Sequence, residues 1–370
     1  MANLSGERLP LRDALLDPTR IRVLDLAGWN LLIQQARAAG LLARIHVLCQ
    51  EHSLIDAVPA EALWHLKSAD QVYQAHSRDV RTEIGHIASA LKMAKVKPVL
   101  LKGAAYLAAG DRAAKGRLFS DVDLFVPKPK IDVAEQMLRW NGWRSKKIDE
   151  YDERYYREWM HEIPPMIHGA RGMTLDVHHN LLPLTGRLRL NADLIEQEIV
   201  ASELPGVWTL SPADRVLHSA AHLFMGGEFE NAFRDLSDLD LLLREFSESV
   251  PRFWDVLFRR TERLGLGQIL FFTQRYTAHF FHTPIPDEFT EQCERFVPRK
   301  RASVIMDQLF RRVLLPMHES CDDRFSPLAR TLMYVRSHWL RMPPLLLARH
   351  LLHKSLSGWR KSLTDDEPAG

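Results

Sequence analysis

The stretch 97–180 interrupts a chain that is otherwise patterned as helix. On both sides of it, apolar residues recur at the spacing that places them on one face of a helix. Within it, the apolar run 98–101 leads through a glycine into a helical stretch, and 121–126 begins with alternating polar and apolar residues. Short apolar runs and two-residue alternation indicate strands. The pattern predicts one α/β unit within a mostly helical chain of the α+β class.

The same patterns divide the chain into four segments. We predict a helical N-terminal region over 1–95, an α/β domain over 96–205 and a helical C-terminal domain over 206–362. The remaining residues, 363–370, are expected to be a disordered tail.

Composition excludes several classes of protein. The 370 residues include 49 Lys and Arg and 47 Asp and Glu, a net charge of +2 at pH 7. This balance argues against a polybasic nucleic-acid binder and against an acidic disordered chain. Cys49, Cys293 and Cys321 lie far apart, which predicts neither a disulfide framework nor a thiolate zinc site. With no signal-peptide pattern and no apolar run of bilayer length, we expect a cytoplasmic protein without a transmembrane segment.

Asp121 and Asp123 form the motif with the most chemical content. Alternate residues of a strand point to the same face, so their carboxylates would lie close together. Burying both is costly unless a cation compensates their charge. Mg²⁺ prefers oxygen ligands and often binds carboxylates together with substrate phosphates. The pair therefore favours metal-assisted phosphoryl or nucleotidyl transfer, and an ordinary solvated strand end is the alternative.

Residues before and after the pair add to this interpretation. Lys102 and Gly103 end a strand and open a helix, where backbone N–H groups and the helix dipole favour an anion. Arg117 offers a further positive charge to a phosphate. Asp176 lies in an apolar strand, and a third acid there would complete a two-metal site or accept the proton of an attacking hydroxyl. His178 shares the strand face of Asp176 and is a candidate to bind substrate.

The order of these motifs resembles that of a known family. The segments LLKGAAYL (100–107), RLFSDVDLFV (117–126), IPPMIHG (163–169) and LDVHHNL (175–181) are similar to those of a bacterial, uncharacterised nucleotidyltransferase family. That family belongs to the superfamily of DNA polymerase beta, kanamycin nucleotidyltransferase and the minimal nucleotidyltransferases. The resemblance covers roughly 95–245.

The resemblance implies a central polymerase-beta-like mixed sheet flanked by helices. It implies transfer of a nucleoside monophosphate from a nucleoside triphosphate, with ATP as the expected donor, and release of pyrophosphate. Asp121, Asp123 and Asp176 would bind two Mg²⁺ ions, with Asp176 as third ligand or base. Its acceptor could be a small molecule, a protein or an RNA.

The resemblance also places Lys102, Gly103 and Ser120 along the triphosphate, and we add Arg117 and His178 as nucleotide-contacting candidates. The chain departs from the superfamily pattern after the glycine, where Ala104 stands in place of a serine. This departure leaves open a catalytically degenerate binding or adaptor protein. A glycosyltransferase that uses the two aspartates to bind a nucleotide sugar is a further alternative.

Three other features have less specific interpretations. His218 and His222 share a helix face without the HExxH pattern, which favours neutral core or cleft histidines over a zinc site. The charged residues 234–240 are expected to form a solvated helix face with internal pairing, such as that of Arg234 with Asp238 four residues on. The alternative is that this helix lines the acceptor side of a cleft. The basic stretch 330–361 is expected to be helical, with a weak contact to a membrane surface or nucleic acid as its alternative.

Overall fold

The computed structural model describes residues 9–145, 153, 155–298 and 300–343. This part of the chain is mostly helical and contains a seven-stranded mixed sheet, which confirms the predicted α+β class. The predicted tail 363–370 and most of the basic stretch 330–361 lie outside the described residues. None of the described helices combines the length and the apolar character needed to cross a membrane.

Helices precede, interrupt and follow the sheet. Those before it are α1 (Pro10–Leu16), α2 (Leu26–Ala38), α3 (Leu42–Glu51) and α4 (Ala60–Lys92). Those between its strands are α5 (Lys102–Ala109), α6 (Ile131–Trp140), α7 (Ala192–Glu196) and a π-helical turn at Tyr155–Trp159. Those after it are α8 (Pro212–Met225), α9 (Ala232–Ser249), α10 (Phe253–Leu264), α11 (Gly267–Phe281), α12 (Asp287–Cys293), α13 (Lys300–Val313) and α14 (Ser326–Arg341).

Several boundaries follow from local chemistry. The side chain of Ser211 accepts a hydrogen bond from the backbone N–H of Asp214, and Pro212 occupies the first position of α8. Both are features of a helix start, because the first N–H groups of a helix lack partners within it. Gly226 ends the same helix as its C-cap residue.

The sheet is built from seven short strands: β1 (Val99–Leu100), β2 (Asp121–Phe125), β3 (Trp143–Ser145), β4 (Met166–His168), β5 (Thr174–His178), β6 (Val200–Ala201) and β7 (Trp208–Thr209). Their order is β3-β4-β5-β2-β1-β7-β6. The pairs β2/β5 and β1/β7 are parallel, and the remaining pairs are antiparallel. Because β7 begins at Trp208, the sheet extends past the domain boundary predicted at 205, and the division into domains stays a prediction.

The pairing of β2 with β5 positions the acidic residues. Asp121 lies opposite Thr174, and Asp123 lies opposite Asp176. Neighbouring strands are about 4.8 Å apart, and residues directly opposite point to the same face of a sheet. The two predicted strands therefore bring the three acids to one face.

Among the described residues, most buried apolar side chains belong to one continuous cluster. It runs from Trp29 of α2 through Phe125 and Trp143 of the sheet to Phe224 of α8 and Phe310 of α13. Burial of apolar surface is the main favourable term in folding, so this cluster fixes the helices against the sheet on which the acids stand.

A loop after α5 is attached to α3 by the buried side chain of Arg44. Its Nη2 donates to the carbonyl of Ala113 at 2.7 Å, and its Nε donates to that of Lys115 at 3.2 Å. Gly116 then passes so close to α3 that a Cβ there would lie 2.4 Å from the backbone N and Cα of Arg44, and its φ is +67°. Only glycine satisfies both conditions at this position.

Gly116→Ala should lower the free energy of unfolding by roughly 2–4 kcal/mol, because the left-handed backbone and the contact with Arg44 are both unfavourable for a Cβ. Gly172→Ala is the matched control, since Gly172 has a φ of +76° but no described atom within 4 Å of the added Cβ. That control should lose only about 1–2 kcal/mol. Urea unfolding of both variants measures the difference, and equal losses would contradict the steric argument.

Candidate functional site

A pocket of about 240 Å³ opens beside the first residues of β2. Segments far apart in the chain build it: the start of α5, the segment 117–123, α8, and the segment 228–238 that leads into α9. Its lining residues are Lys102, Gly103, Tyr106, Arg117, Phe119, Ser120, Asp121, Asp123, Ser219, His222, Glu228, Glu230, Asn231, Arg234, Asp235 and Asp238. Six of the predicted site residues are among them, and the other two, Asp176 and His178, lie on the neighbouring strand β5.

Asp176 carries an unsatisfied oxygen next to the other acids. Its Oδ1 is buried and has no hydrogen-bond partner among the described residues. Burial raises the pKa of the Asp176 carboxyl to about 7, and the negative charges of Asp123, Glu162 and Asp121 act in the same direction. A buried carboxylate oxygen without a donor is rare and costly. The oxygen-rich cluster of Asp121, Asp123 and Asp176 therefore fits a hard divalent cation.

Asp123 accepts two hydrogen bonds from charged or polar side chains that adjoin the acidic cluster. Its Oδ1 accepts a hydrogen bond from Nζ of Lys102 at 2.8 Å and another from Nε2 of His178 at 3.0 Å. Burial alone would raise the pKa of the Asp123 carboxyl, but Lys102 and His178 outweigh it and hold that pKa well below its usual range. The carboxylate is therefore ionised, as a metal ligand must be.

Lys102 reaches Asp123 from the first residue of α5. Its φ of +46° lies in the left-handed region, which a lysine rarely adopts. Burial opposes its charge, but Asp123 and its neighbours Asp121 and Glu162 raise the pKa of the Lys102 ammonium above its ordinary value. Strained backbone of this kind is concentrated at functional sites.

Gly103 is required by packing. A Cβ at this position would lie 2.2 Å from Nη1 of Arg117 and 2.8 Å from Cδ1 of Phe119. The Nη1 of Arg117 is itself buried and has no hydrogen-bond partner in the described part of the chain. Two residues predicted separately, Gly103 and Arg117, thus meet at the wall of the pocket, where a cationic donor remains available to an anion.

The interpretation of 234–240 as a solvated helix face is wrong. Only 2% of the Asp238 side chain is exposed, and its carboxylate pairs with Nη2 of Arg44 at 2.7 Å and with Nε of Arg117 at 2.6 Å. Arg234, which the helical spacing pairs with Asp238, instead pairs with Asp235 at 3.0 Å. The pairing predicted from helical spacing was wrong because two arginines from distant segments pack against this face of α9. Its role on the acceptor side of the cleft stays a prediction.

The two helical histidines lie on the same side of the molecule as the pocket. His218 is buried, and burial together with the charge of Lys102 lowers its pKa to about 3. His222 lines the pocket, and the charge of Lys102, together with burial, lowers its pKa well below the ordinary value. Both imidazoles are therefore neutral at pH 7, and neither belongs to a potential metal-binding group among the described residues.

Sequence reasoning missed His161 and Glu162. Glu162 forms an isolated antiparallel bridge with His178, and its Oε2 lies 3.2 Å from Nδ1 of that residue. The imidazoles of His161 and His178 lie with their centroids 5.2 Å apart. The adjacent His and Glu just before β4 were a signal in the sequence, but nothing local indicated that they would meet the end of β5.

A family model described as an uncharacterised nucleotidyltransferase matches residues 25–282. Among curated proteins and solved structures, none matches the chain. The matched region is more than half of the chain and includes every residue that lines the pocket. It supports nucleotidyl transfer over the glycosyltransferase alternative. The chain therefore belongs to this nucleotidyltransferase family and is an enzyme that acts on a nucleotide.

Proposed function

We propose that the enzyme transfers a nucleoside monophosphate from a nucleoside triphosphate, with ATP as the expected donor, to a hydroxyl group of an acceptor. The observation that carries this proposal is the meeting of Asp121, Asp123 and Asp176 on one face of the sheet, beside a pocket that also contains Lys102 and Arg117. Carboxylates next to cationic side chains suit a substrate that carries phosphates and binds together with metal ions.

Two Mg²⁺ ions would be held by the three aspartates. Their oxygens are the ligand type that Mg²⁺ prefers, and the unpartnered Oδ1 of Asp176 leaves coordination capacity in the buried part of the cluster. When bound there, Mg²⁺ would neutralise charge on the phosphates and align the reacting groups.

Lys102 and Arg117 would bind the triphosphate. Lys102 lies at the N-terminus of α5, where the helix dipole adds to its charge. Nη1 of Arg117 has no hydrogen-bond partner among the described residues, whereas its Nε donates to Asp238 and its Nη2 donates to Asp235. Ser120 is exposed at the pocket just before β2, so its hydroxyl is available to the same phosphates. His178 does not line the pocket and would contribute through the hydrogen bond from its Nε2 to Asp123.

The transfer itself is a single displacement at the α-phosphorus. The acceptor oxygen forms a bond to this phosphorus while the bond from phosphorus to the bridging oxygen breaks, and pyrophosphate leaves with that oxygen. The acceptor proton passes to a base, for which Asp176 is our candidate, because it stands opposite Asp123 on the face of the sheet where the transfer would take place.

The acceptor would enter from the side of α9. The pocket wall there carries Glu228, Glu230 and Asp235, and Asp235 also pairs with Nη2 of Arg117 at 3.4 Å. Small molecules, proteins and RNA ends remain candidate acceptors, since all three can offer a hydroxyl group.

Isothermal titration with a non-hydrolysable ATP analogue tests the donor site. We expect binding to the full chain that requires Mg²⁺, and its loss in the double variant Asp121→Ala/Asp123→Asn, because the metal ligands are then removed. Thermal unfolding of the double variant checks that it remains folded. Analogues of GTP, CTP and UTP are titrated in parallel to identify the base. If none of the four analogues bound to the wild type, the proposal would be contradicted, and a binding module that no longer binds nucleotides would be favoured.

A further inference from the structure

We infer that His161, Glu162 and His178 form a second metal site, which binds a transition-metal ion of the Zn²⁺ type. It adjoins the cluster of three aspartates but shares no ligand with it. The inference does not depend on the proposed nucleotidyl transfer, because it concerns different residues and a different class of ion.

The geometry of the three side chains fits a single ion. Each offers one ligand atom, and these atoms all lie within 4.8 Å of one another. Nδ1 of His178 and Oε2 of Glu162 are 3.2 Å apart. Tetrahedral zinc with bonds of about 2.0–2.1 Å separates its ligand atoms by roughly 3.4 Å. Small side-chain rotations of His161 would therefore close the set around an ion.

The unpartnered nitrogens supply an independent observation. His178 is 4% exposed, and its Nδ1 is buried without a hydrogen-bond partner among the described residues, despite the closeness of Glu162. Nδ1 of His161 is buried without a partner in the same sense. Buried polar atoms are nearly always satisfied in folded proteins, so two buried imidazole nitrogens that lack hydrogen bonds, one of them only in ion-pair contact with Glu162, point to a missing cation.

Two neighbouring acids orient His178 toward the site. Its Nε2 donates a hydrogen bond to Oδ1 of Asp123 at 3.0 Å, since an ionised carboxylate can only accept, and Nδ1 faces Glu162. This is the carboxylate–histidine–metal arrangement that orients ligands in metal sites. On the other side, the carbonyl of His161 accepts a hydrogen bond from the N–H of His179 at 2.7 Å, which fixes the segment against the end of β5.

The types of ligand atom in this set determine which class of metal ion it would bind. Two imidazoles and one carboxylate suit Zn²⁺, whereas Mg²⁺ prefers oxygen ligands only. The chain would thus carry two centres of different chemistry, with Asp123 touching both: as a ligand of the first and as the hydrogen-bond acceptor of His178 in the second.

Titration of ZnCl₂ into the full chain, without a histidine tag and with excess Mg²⁺ present, tests the site. We expect an equimolar binding event that weakens at least ~100-fold in His161→Ala and in Glu162→Gln, because each change removes a ligand. Asp123→Asn should weaken it ~10–100-fold through loss of the support to His178. His222→Ala is the matched control, since this histidine lines the neighbouring pocket but lies outside the set, and its affinity for Zn²⁺ should equal that of the wild type.

The wild type alone gives a second test that needs no folded variant. Added Co²⁺ should produce the intense visible absorption of a tetrahedral complex, and an equimolar amount of Zn²⁺ should abolish it. Absence of Zn²⁺ binding, equal affinity in His161→Ala and the wild type, or only the weak absorption of octahedral Co²⁺ would each overturn the inference. None of these results bears on nucleotide binding, which is measured separately in the titration with the ATP analogue.

Discussion

Asp121→Ala should reduce nucleotidyl transfer at least ~10³-fold while the chain stays folded, because the variant removes a ligand of the metal ions on which stabilisation of the transition state depends. Asp121 is half-buried at the start of β2, and its carboxylate makes no hydrogen bond or ion pair with the residues that the structure describes. Removing this carboxylate therefore leaves no described group without its partner. Asp123 is less suitable for this test, since an alanine there would leave the buried Lys102 and His178 without their acceptor.

The measurement follows label from the α-phosphate of each nucleoside triphosphate into fractions of a cell extract that serve as the source of acceptor. Asp132→Ala on α6 is the control, because Asp132 is an exposed acid outside the pocket and its loss should leave transfer unchanged. Urea unfolding of both variants should give stabilities close to that of the wild type. Full transfer by a folded Asp121→Ala variant would remove Asp121 from the proposed metal site.

The acidic face of the sheet could be predicted because its information is local. Two-residue alternation identified the strand that became Asp121–Phe125, and an apolar run with one acid identified Thr174–His178. The side-chain period of a strand then placed Asp121 and Asp123 on one face. The resemblance to the family implied a mixed sheet and a metal site shared by the three acids, but only the structure shows that the two strands are parallel neighbours with Asp123 opposite Asp176.

The rest of the site depends on contacts between distant segments, which no local pattern contains. Asp238 is separated by 194 residues from Arg44 and by 121 from Arg117. Helical spacing offered Arg234 as its partner and predicted an exposed pair, whereas packing of α3 and the 113–117 loop against α9 supplied two better placed guanidinium groups. The meeting of Glu162 with His178 is of the same kind, because it arises where the chain crosses the end of β5.

These distant contacts link stability to the site. Arg117 lies at the pocket wall beside Gly103 with its Nε hydrogen-bonded to Asp238, and Arg44 donates both to Asp238 and to the carbonyl groups of the loop that carries Arg117. Asp238 is thus a positioning residue for the phosphate-binding side of the pocket, although it has no place among the metal ligands. Its charge also compensates two buried cations, so its loss should lower the stability strongly.

Asp238→Asn should lower the free energy of unfolding by about 3–5 kcal/mol, because two buried guanidinium groups lose the negative charge that compensates them. Only 4% of the Arg44 side chain and 6% of the Arg117 side chain are exposed, so water cannot take over the role of the carboxylate. Burial would raise the pKa of Asp238, but the two arginines outweigh it and hold that pKa below its usual value, so the charge is present at pH 7. Urea unfolding at pH 7 measures the loss.

The same substitution at an exposed ion pair separates burial from charge. Asp255 of α10 pairs with Arg252 at 2.7 Å, but 48% of its side chain and 77% of that of Arg252 are exposed. Asp255→Asn should therefore change the stability by less than about 1 kcal/mol. Losses of similar size in the two variants would show that water reaches the Arg44–Asp238–Arg117 cluster, and the cluster would then neither stabilise the fold by its burial nor fix Arg117 at the pocket wall. A large loss confined to Asp238→Asn would show that the buried carboxylate, which holds Arg44 and Arg117, stabilises the fold far more than an exposed one does.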